Sequence, residues 1–444
     1  MNDVDVVVVG AGIAGLGAAH DLAAAGASVL VLEREDHPGG RMHSVRWHDH
    51  WVDVGGEEIT SADAFFHDVA RRHGLEVITH LAGAGGYGVW RDSAVHNIEL
   101  TDPISFLRFG AMSIGGRARL LRLLPTMARQ AARQRGADID QTHLAAAIDD
   151  ASLEEWLGRL APEFLEYVIE PLFDVFCGWT PDEMSRGWFV FTTLAYQRAE
   201  GFTLREGIGA ITRALASELD VRTGSQVTDV DAARRVVRWT DASGDQEVGA
   251  GAVVVAVPGN LVNDMVSGLG DAHRQVFSQV RYVPHDQVFL WVSEVPEGTP
   301  RVAFFPRRED GRLASIGHGL PTDREAPVVR LGLKGTLQRE LRDHSDKQLV
   351  ELTIEAADPY VPGLREQVTD VLVHRWDAAL PTFHAGHLRA LARHRAIPPA
   401  PGIAFAGDWL ANASTGAAHA SGRRAARAAL RDLQTRRSTT RTMA

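Results

Sequence analysis

The stretch that most constrains this chain is VVVVGAGIAGLGAAHDL, which spans residues 6–22. It begins with an apolar, β-branched run of the kind that parallel sheets bury on both faces, and three glycines follow with the spacing G-x-G-x-x-G. Such glycines permit a tight turn, close approach of the backbone to a pyrophosphate, and a helix that begins at the ligand. The stretch predicts a Rossmann-like dinucleotide site rather than a purely structural βαβ unit. The residues predicted to contact the dinucleotide are Gly10, Gly12, Ile13, Ala14 and Gly15.

An acidic residue ends the next predicted strand. Residues 28–32 are mainly apolar, and Glu33 follows them. A carboxylate at this position accepts hydrogen bonds from a ribose 2′-hydroxyl and repels a 2′-phosphate. We therefore expect Glu33 and the neighbouring Arg34 to lie at the adenosine end of the dinucleotide.

Length and composition narrow the class of protein. The 444 residues are enough for two domains, and Cys177 is the only cysteine. A single cysteine excludes an internal disulfide and a cysteine metal cluster, and it fits a reducing compartment. The formal charge of −11 disfavours nucleic acid as a partner. No targeting segment or membrane-spanning run is evident, so we expect a cytoplasmic protein with a small-molecule substrate.

A second glycine-rich segment, HPGGRMHSVRWHDHWVDVGGEEIT, spans residues 37–60. Gly39 and Gly40 allow a loop to pass close to a ligand, and Arg41 offers a fixed fork of donors to a pyrophosphate. An NAD-binding domain has no obvious need of this second clamp. The paired glycines Gly55 and Gly56 then provide another site of close approach.

On these motifs the sequence resembles the superfamily of flavin amine oxidases and protoporphyrinogen oxidases. In that superfamily a glutamate binds the adenosine ribose, the arginine of a GGR motif lies near the diphosphate, and the glycines of D-x-GG lie against the isoalloxazine ring. The resemblance implies that FAD is the cofactor. The matching positions and their neighbours in this chain are Glu33, Gly40, Arg41, Gly55, Gly56 and Glu57.

Later stretches extend the resemblance. One β-strand residue of the superfamily meets the adenine through its backbone, and an acid near the C-terminus lies by the ribityl-diphosphate region. The segment GIAFAGDWLANASTGAAHASG, residues 402–422, matches that acid and the helix after it, whose positive end would face the flavin pyrimidine. RWDAALPTFHAGH, residues 375–387, is most similar to protoporphyrinogen oxidase-like members, which implies a tryptophan near the flavin. The residues implied are Val227, Trp376, Gly407, Asp408, Gly416 and Ala417.

The predicted fold is α/β, with a Rossmann-like FAD-binding domain of the glutathione reductase type and an inserted α+β substrate domain. The first insertion has helical apolar spacing, whereas the second alternates like strands and contains a helix near residues 346–357. The predicted FAD-binding domain comprises residues 1–60, 203–270 and 396–434, the substrate domain comprises residues 61–202 and 271–395, and residues 435–444 form a basic, disordered tail.

Departures from the amine oxidases bear on the substrate. Those enzymes usually place a lysine, linked through water to the flavin, where Gln287 is the nearest match here. They also commonly carry an aromatic cage residue in the C-terminal flavin segment, where this chain has Ser414 and Thr415. That segment contains no cysteine either, so FAD is expected to be held noncovalently.

We therefore expect an FAD-dependent oxidoreductase that removes hydride from a mostly apolar, cyclic or bulky organic substrate. Dioxygen or another acceptor would reoxidise the flavin. The alternatives are a flavin amine oxidase and an isoprenoid-type desaturase or isomerase.

Three residues are candidates for catalysis: Glu58, His285 and Gln287. Glu58 either faces the substrate or is paired with an arginine in the wall. His285 is either a base or a surface loop residue. The histidines have no metal-ligand spacing with acids, so no metal is expected.

The stretch RARLLRLLPTMARQAARQR, residues 117–135, is apolar and rich in arginine. Such a stretch can lie on an anionic membrane surface and take up a lipophilic substrate. The alternative is a solvated helix whose leucines pack on their own domain.

Overall fold

The structure is a computed structural model that describes residues 4–79, 87–99, 102–197, 199–398, 400 and 402–443. Its strands form two large sheets and two small ones. In chain order the strands are β1 (Val4–Val9), β2 (Val29–Leu32), β3 (Ser44–Trp47), β4 (His50–Asp53), β5 (Ile59–Ser61), β6 (Val77–Thr79), β7 (Tyr87–Arg91), β8 (Ala94–Ile98), β9 (Glu200–Leu204), β10 (Asp220–Arg222), β11 (Gln226–Asp231), β12 (Val236–Asp241), β13 (Gly244–Val255), β14 (Val266–Ser267), β15 (Tyr282–Val292), β16 (Val302–Phe304), β17 (Leu313–His318), β18 (Val328–Leu333), β19 (Val368–Pro381) and β20 (Ile403–Phe405).

Helices fill most of the connections between these strands. In chain order the α-helices are α1 (Ile13–Ala24), α2 (Phe65–Arg72), α3 (Pro103–Arg108), α4 (Ile114–Arg119), α5 (Leu124–Arg133), α6 (Leu153–Leu160), α7 (Pro162–Phe164), α8 (Glu170–Cys177), α9 (Arg186–Tyr196), α10 (Gly209–Ser217), α11 (Val262–Met265), α12 (Asp271–Phe277), α13 (Gly335–Glu340), α14 (Asp346–Ala357), α15 (Leu364–Gln367), α16 (His387–Ala396) and α17 (Thr415–Met443). A π-helical segment joins α7 to α8, and short 3₁₀ segments lie at Leu120–Leu123, Thr142–Ile148, Pro181–Glu183, Gly259–Leu261 and Asp408–Leu410.

The first large sheet is built around β1. Its order is β10-β2-β1-β13-β12-β11-β14, with β20 also paired to β13. Strand β1 runs parallel to β2 and β13, and the four valines 6–9 are at most 2% exposed. Burial on both faces explains why this strand is a continuous apolar run rather than an alternating one. The predicted α/β fold with a Rossmann-like domain is confirmed.

Helices α1 and α17 pack together beside this sheet. A side chain at Gly422 of α17 would lie 2.0 Å from the carbonyl oxygen of Ala14, so only glycine allows this approach. The packing brings the start of α17 next to the glycine turn after β1. The helix continues to Met443, whereas residues 435–444 were predicted to be disordered; residues 423–443 contain neither glycine nor proline to end it.

The second large sheet has the order β19-β15-β18-β17-β16-β7-β8. Its longest pair is β15 with β19, antiparallel from Tyr282 opposite Pro381 to Val292 opposite Val368. Apolar residues of α14 pack into the buried cluster of this sheet. Strands β15 and β18 confirm the alternating segments, and α14 has the bounds predicted for the helix in this insertion.

A small sheet, β5-β9-β6, joins segments that are distant in sequence. Phe202 of β9 and Phe66 of α2 belong to the same buried cluster as Leu16 of α1. Residues 61–202 were predicted to lie in the substrate domain. Within this range, however, Phe66 of α2 and Phe202 of β9 pack with the first sheet. The domain boundaries themselves stay predictions.

Candidate active site

The glycine turn after β1 leaves room for a ligand at one of its three glycines. A side chain at Gly15 would lie 1.9 Å from the Gly10 carbonyl oxygen, and one at Gly10, where φ is +99°, would lie 2.8 Å from that of Ala256. At Gly12, by contrast, no atom of the described residues lies within 4 Å of a Cβ position. This open space adjoins Ile13, the first residue of α1, and therefore fits a pyrophosphate at a helix N-terminus.

Glu33 ends β2 beside this turn and is 7% exposed. Its carboxylate accepts hydrogen bonds from the backbone N–H groups of Ala11 (2.7 Å) and Glu35 (3.0 Å). The N–H of Ser225 donates to the Glu33 carbonyl at 2.7 Å, which places β11 and its buried Val227 at the same end of the sheet. The predicted adenosine-end residues are thus brought together, except that the Arg34 side chain is 64% exposed and pairs with Glu35.

The loop after β2 passes directly over the glycine turn. Gly39 forms an isolated parallel bridge with Gly12, and a Cβ at Gly40, where φ is +53°, would lie 3.4 Å from the Gly12 Cα. Glycine is favoured at both loop positions because their φ angles are positive. The loop therefore borders the predicted diphosphate space, and its contact with a ligand stays a prediction.

Arg41 is held by a bidentate ion pair with Asp408, with N–O distances of 2.7 and 3.0 Å. It also donates to the Ala379 carbonyl at 2.7 Å and lies over the Tyr282 ring. Burial alone lowers the pKa of Arg41, but the Asp408 carboxylate and Tyr282 raise it overall. Gly407, just before Asp408, donates its N–H to Ser421 of α17. Direct contact of Arg41 with a diphosphate stays a prediction.

The paired glycines after β4 lie against the second large sheet. A side chain at Gly55 would lie 2.0 Å from the Arg41 carbonyl oxygen, and Gly56 is exposed. The indole of Trp376 donates to the Val54 carbonyl at 2.6 Å, and Gln287 donates to the Gly55 carbonyl at 3.2 Å. The Oε1 atom of Gln287 is buried and has no hydrogen-bond partner within the described part of the chain. A polar group of a bound ring or water would satisfy it.

The start of α17 completes this region. The Ser414 hydroxyl accepts from the N–H of Ala417 and caps the helix. A side chain at Gly416 would lie 2.6 Å from the Thr60 carbonyl oxygen, and Thr415 accepts from the Thr60 N–H at 3.0 Å. These contacts hold the N-terminal, positive end of α17 beside β5. Strand β5 follows Gly55 and Gly56 in the sequence.

The two glutamates that follow these glycines differ in environment. Glu57 forms an ion pair with Arg330 of β18 at 2.8 Å. Glu58 forms no ion pair within the described ranges, and burial followed by the charge of Glu57 raises its pKa to about 7. The alternative that an arginine pairs with Glu58 is therefore wrong, because the arginine pairs with its neighbour.

A group of aromatic side chains that the sequence did not single out includes Tyr87, which interacts electrostatically with Glu58. Burial first, and then the charges of Glu58 and Glu57, raises the pKa of Tyr87 to about 12. The Tyr87 ring contacts those of Phe176 and Phe304, with centroids 5.5 and 5.4 Å apart. Phe176 is nevertheless 46% exposed, so these rings border open space.

A second tyrosine lies at the C-terminal flavin segment. The side chain of Tyr196, the last residue of α9, interacts with Ser414 and, electrostatically, with Glu58. Burial raises its pKa above the usual value. The segment itself lacks an aromatic residue at Ser414 and Thr415, as predicted, but a distant helix supplies a ring there.

His285 lies within β15 and not in a surface loop, so that alternative is wrong. Burial lowers its pKa, and its Nδ1 atom has no hydrogen-bond partner among the residues described. A Cβ at Gly178 would lie 3.5 Å from this nitrogen. A role for His285 in catalysis stays a prediction.

Taken together, the open space at Gly12, the carboxylate of Glu33 and the orphaned amide oxygen of Gln287 fit an extended dinucleotide. They follow one path, from the end of β2, past the glycine turn, to the paired glycines. FAD has this chemistry, and the residues present fit it. The contacts of the individual residues with FAD stay predictions.

Comparisons with known proteins agree with this geometry. The family described as "Flavin containing amine oxidoreductase" matches residues 13–430. The protein named "Putative flavin-containing monoamine oxidase AofH" of Mycobacterium tuberculosis is 31% identical over 277 residues, which is 57% of each chain. The match thus spans less than two thirds of that relative.

Solved structures share the fold over almost the whole chain. Putrescine oxidase bound to putrescine has a TM-score of 0.73 at 19% identity, covering 96% of this chain and 98% of that one. A protein titled "Putative protoporphyrinogen oxidase" from Exiguobacterium sp. 255-15 has a TM-score of 0.71 at 18% identity, covering 98% and 100%. At these identities the likeness shows the fold alone.

Proposed function

Because the chain belongs to the family of flavin containing amine oxidoreductases, we propose that this FAD-dependent oxidoreductase acts on a bulky, mostly apolar organic substrate. The observation that carries the proposal is the aromatic group of Tyr87, Phe176 and Phe304, which borders open space and interacts electrostatically with Glu58 through Tyr87. Such rings hold an apolar body by shape and area, with few polar anchors.

The chain's own residues position the reacting parts. Glu33 and the glycine turn would hold the adenosine and diphosphate of FAD, while Gly55, Gly56 and Trp376 would border its ring. When bound, FAD supplies the two-electron acceptor for the oxidation. Gln287 fixes the Gly55 backbone, and Glu58, with a pKa of about 7, can hold or accept a proton at its carboxyl group.

Amine oxidation is the second candidate, and Glu58 with Tyr196 supports it. A carboxylate that interacts electrostatically with two tyrosines suits a cationic group, and Tyr196 supplies an aromatic ring near Ser414, where the C-terminal segment has none. A bulky amine satisfies both candidates, whereas a small aliphatic amine would leave the aromatic group without a partner.

The test mixes oxidised enzyme anaerobically with three compounds and follows the loss of visible flavin absorption. The compounds are a small diamine, a polycyclic amine, and the same polycycle with a neutral substituent. Bleaching by the polycycles and not by the diamine supports the proposal, and bleaching by the diamine alone overturns it. Tyr87→Ala should weaken the response to both polycycles, whereas Glu58→Gln should weaken the response to the amine more than the response to the neutral compound.

The electron acceptor is decided by a second measurement. Reduced enzyme is mixed with air-saturated buffer or with a quinone, and the return of flavin absorption is timed. Rapid return in air identifies an oxidase, while return only with the quinone identifies a dehydrogenase.

A further inference from the structure

The most exposed apolar side chains of the described residues lie in one short part of the chain. They are Ile114 (81% exposed), Leu121 (66%), Leu124 (57%) and Ile104 (54%). All lie on α3, α4, α5 and the 3₁₀ segment between the last two. Single exposed aliphatic residues are ordinary on protein surfaces, but a group of four needs an explanation.

Helix α5 presents two chemically different strips to solvent. Leu124, Ala128 and Ala132 recur every four residues and are all exposed, so they form one apolar strip. Arg129 and Arg133 recur with the same spacing on the neighbouring strip and are also exposed. Leu123, just before the helix, is buried instead. The predicted alternative, in which the leucines pack on their own domain, thus holds for only some of them.

The charge of this region opposes that of the whole chain. Residues 114–135 contain six arginines and no acidic residue, although the protein carries a formal charge of −11. Arg122, Arg129 and Arg133 form no ion pair with a carboxylate in the part of the chain that the structure describes. Exposed arginines elsewhere, such as Arg71 and Arg365, are by contrast paired with a carboxylate.

We propose that this surface, the arginine patch of Ile114, Leu121, Arg122, Leu124, Arg129 and Arg133, docks on an anionic lipid bilayer. Unpaired arginines match lipid phosphates, and aliphatic tips between them match the acyl layer just beneath. None of the described helices is long and apolar enough to cross a membrane, so the contact is peripheral.

The arginine patch is connected to the candidate active site through the packing of two helices. Helix α5 packs against α9, and Gln134 donates to the Phe191 carbonyl of α9 at 3.1 Å. The same helix α9 ends at Tyr196, which interacts electrostatically with Glu58. A substrate dissolved in the bilayer would therefore be taken up near its site; this link alone rests on the proposed function.

The test is co-sedimentation of the FAD-loaded protein with phosphatidylcholine vesicles, with and without 30 mol% phosphatidylglycerol. The patch variant is R122Q/R129Q/R133Q, and the matched control R71Q/R234Q/R365Q removes the same charge from other exposed positions. Each basic residue is worth about a five-fold change in partitioning, so the patch variant should bind anionic vesicles ~100-fold more weakly. The control should bind like the wild type, L121S/L124S should bind more weakly, and 0.5 M salt should release the protein.

Several results would overturn the proposal. They are absence of binding by the wild type, equal binding to both kinds of vesicle, or equal loss in patch and control variants. A wild-type dimer that L121S/L124S converts to monomer, without vesicle binding, would assign the patch to a second copy of the chain. Flavin bleaching by a water-soluble substrate should be unchanged in all variants, which separates this test from that of the proposed function.

Discussion

Arg41 and Asp408 are 367 positions apart in the chain, yet two hydrogen bonds of 2.7 and 3.0 Å join their side chains. Arg41 belongs to the loop after β2, and Asp408 to the segment before α17. Both segments were predicted to contact FAD, so the ion pair fixes one relative to the other. The pair is 30% and 6% exposed at its two side chains, which shields it from solvent screening.

Asp408→Ala should therefore destabilise the protein and loosen FAD together. The loss of a charge-assisted bidentate pair, with Arg41 left behind, should cost about 2–3 kcal/mol of unfolding free energy. Urea unfolding and the release of FAD on filtration measure the two effects. The control is Glu351→Ala, which breaks the exposed pair with Arg365 and should cost about 1 kcal/mol or less. Equal costs for the two variants would contradict the assigned role.

Two single-methyl substitutions should separate cofactor binding from folding. Gly12 has φ −71° and open space at its Cβ position, so Gly12→Ala should fold with a stability within about 0.5 kcal/mol of the wild type yet bind FAD poorly. Gly15→Ala would place a methyl 1.9 Å from a carbonyl oxygen and should fail to fold stably. Thermal unfolding of the FAD-free proteins and titration with FAD test both. Full FAD binding by Gly12→Ala would refute the pyrophosphate site.

Short-range sequence patterns predicted the strands, turns and helices that form from neighbouring residues. In these parts an apolar pattern occurs together with a turn or cap residue, and the structure places them as expected. They are the β1 run with its glycine turn, the strand that ends at Glu33, and α14. The path of the predicted FAD site follows from these elements because a βαβ unit brings them to one sheet edge.

Contacts between distant segments were not predictable in this way. Nothing around Glu57 indicates that Arg330 pairs with it, and nothing around Tyr196 indicates that it meets Ser414. His285 was misjudged because its neighbours Pro284 and Asp286 are residues typical of loops, while strand pairing with β19 overrides them. Such contacts depend on topology rather than on local composition.

The chain has two lysines, and the same substitution should have a large effect on stability at one and almost none at the other. Lys334 is fully buried, with its ammonium 3.3 Å from Glu170, 3.1 Å from Asp174 and bonded to the Phe305 carbonyl. Lys334→Met would leave two carboxylates without their cation and should cost about 3–5 kcal/mol. Lys347 is exposed on α14, and Lys347→Met should change stability by about 0.5 kcal/mol or less. Urea unfolding of both variants at neutral pH gives the comparison, and a cost below 1 kcal/mol for Lys334→Met would show that the buried cluster is dispensable.

The carboxyl group of Glu58 should make stability depend on pH. Burial and Glu57 raise its pKa to about 7 from a reference value of 4.5, so the folded protein holds this proton more tightly than the unfolded chain. The unfolded state therefore binds fewer protons between these values, and stability falls as pH rises from about 4.5 to 7. Glu58→Gln removes this titration, so the variant should gain about 2 kcal/mol relative to the wild type between pH 5 and pH 8. Asp53, whose pKa burial also raises to about 7, is present in both proteins and cancels from the difference.

Urea unfolding at the two pH values measures the change, and Glu57→Gln, which keeps Glu58, is the control that should retain most of the slope. Parallel pH profiles for the wild type and Glu58→Gln would mean that Glu58 is solvated and ionised like a surface glutamate, which would also remove it as a proton carrier in the site.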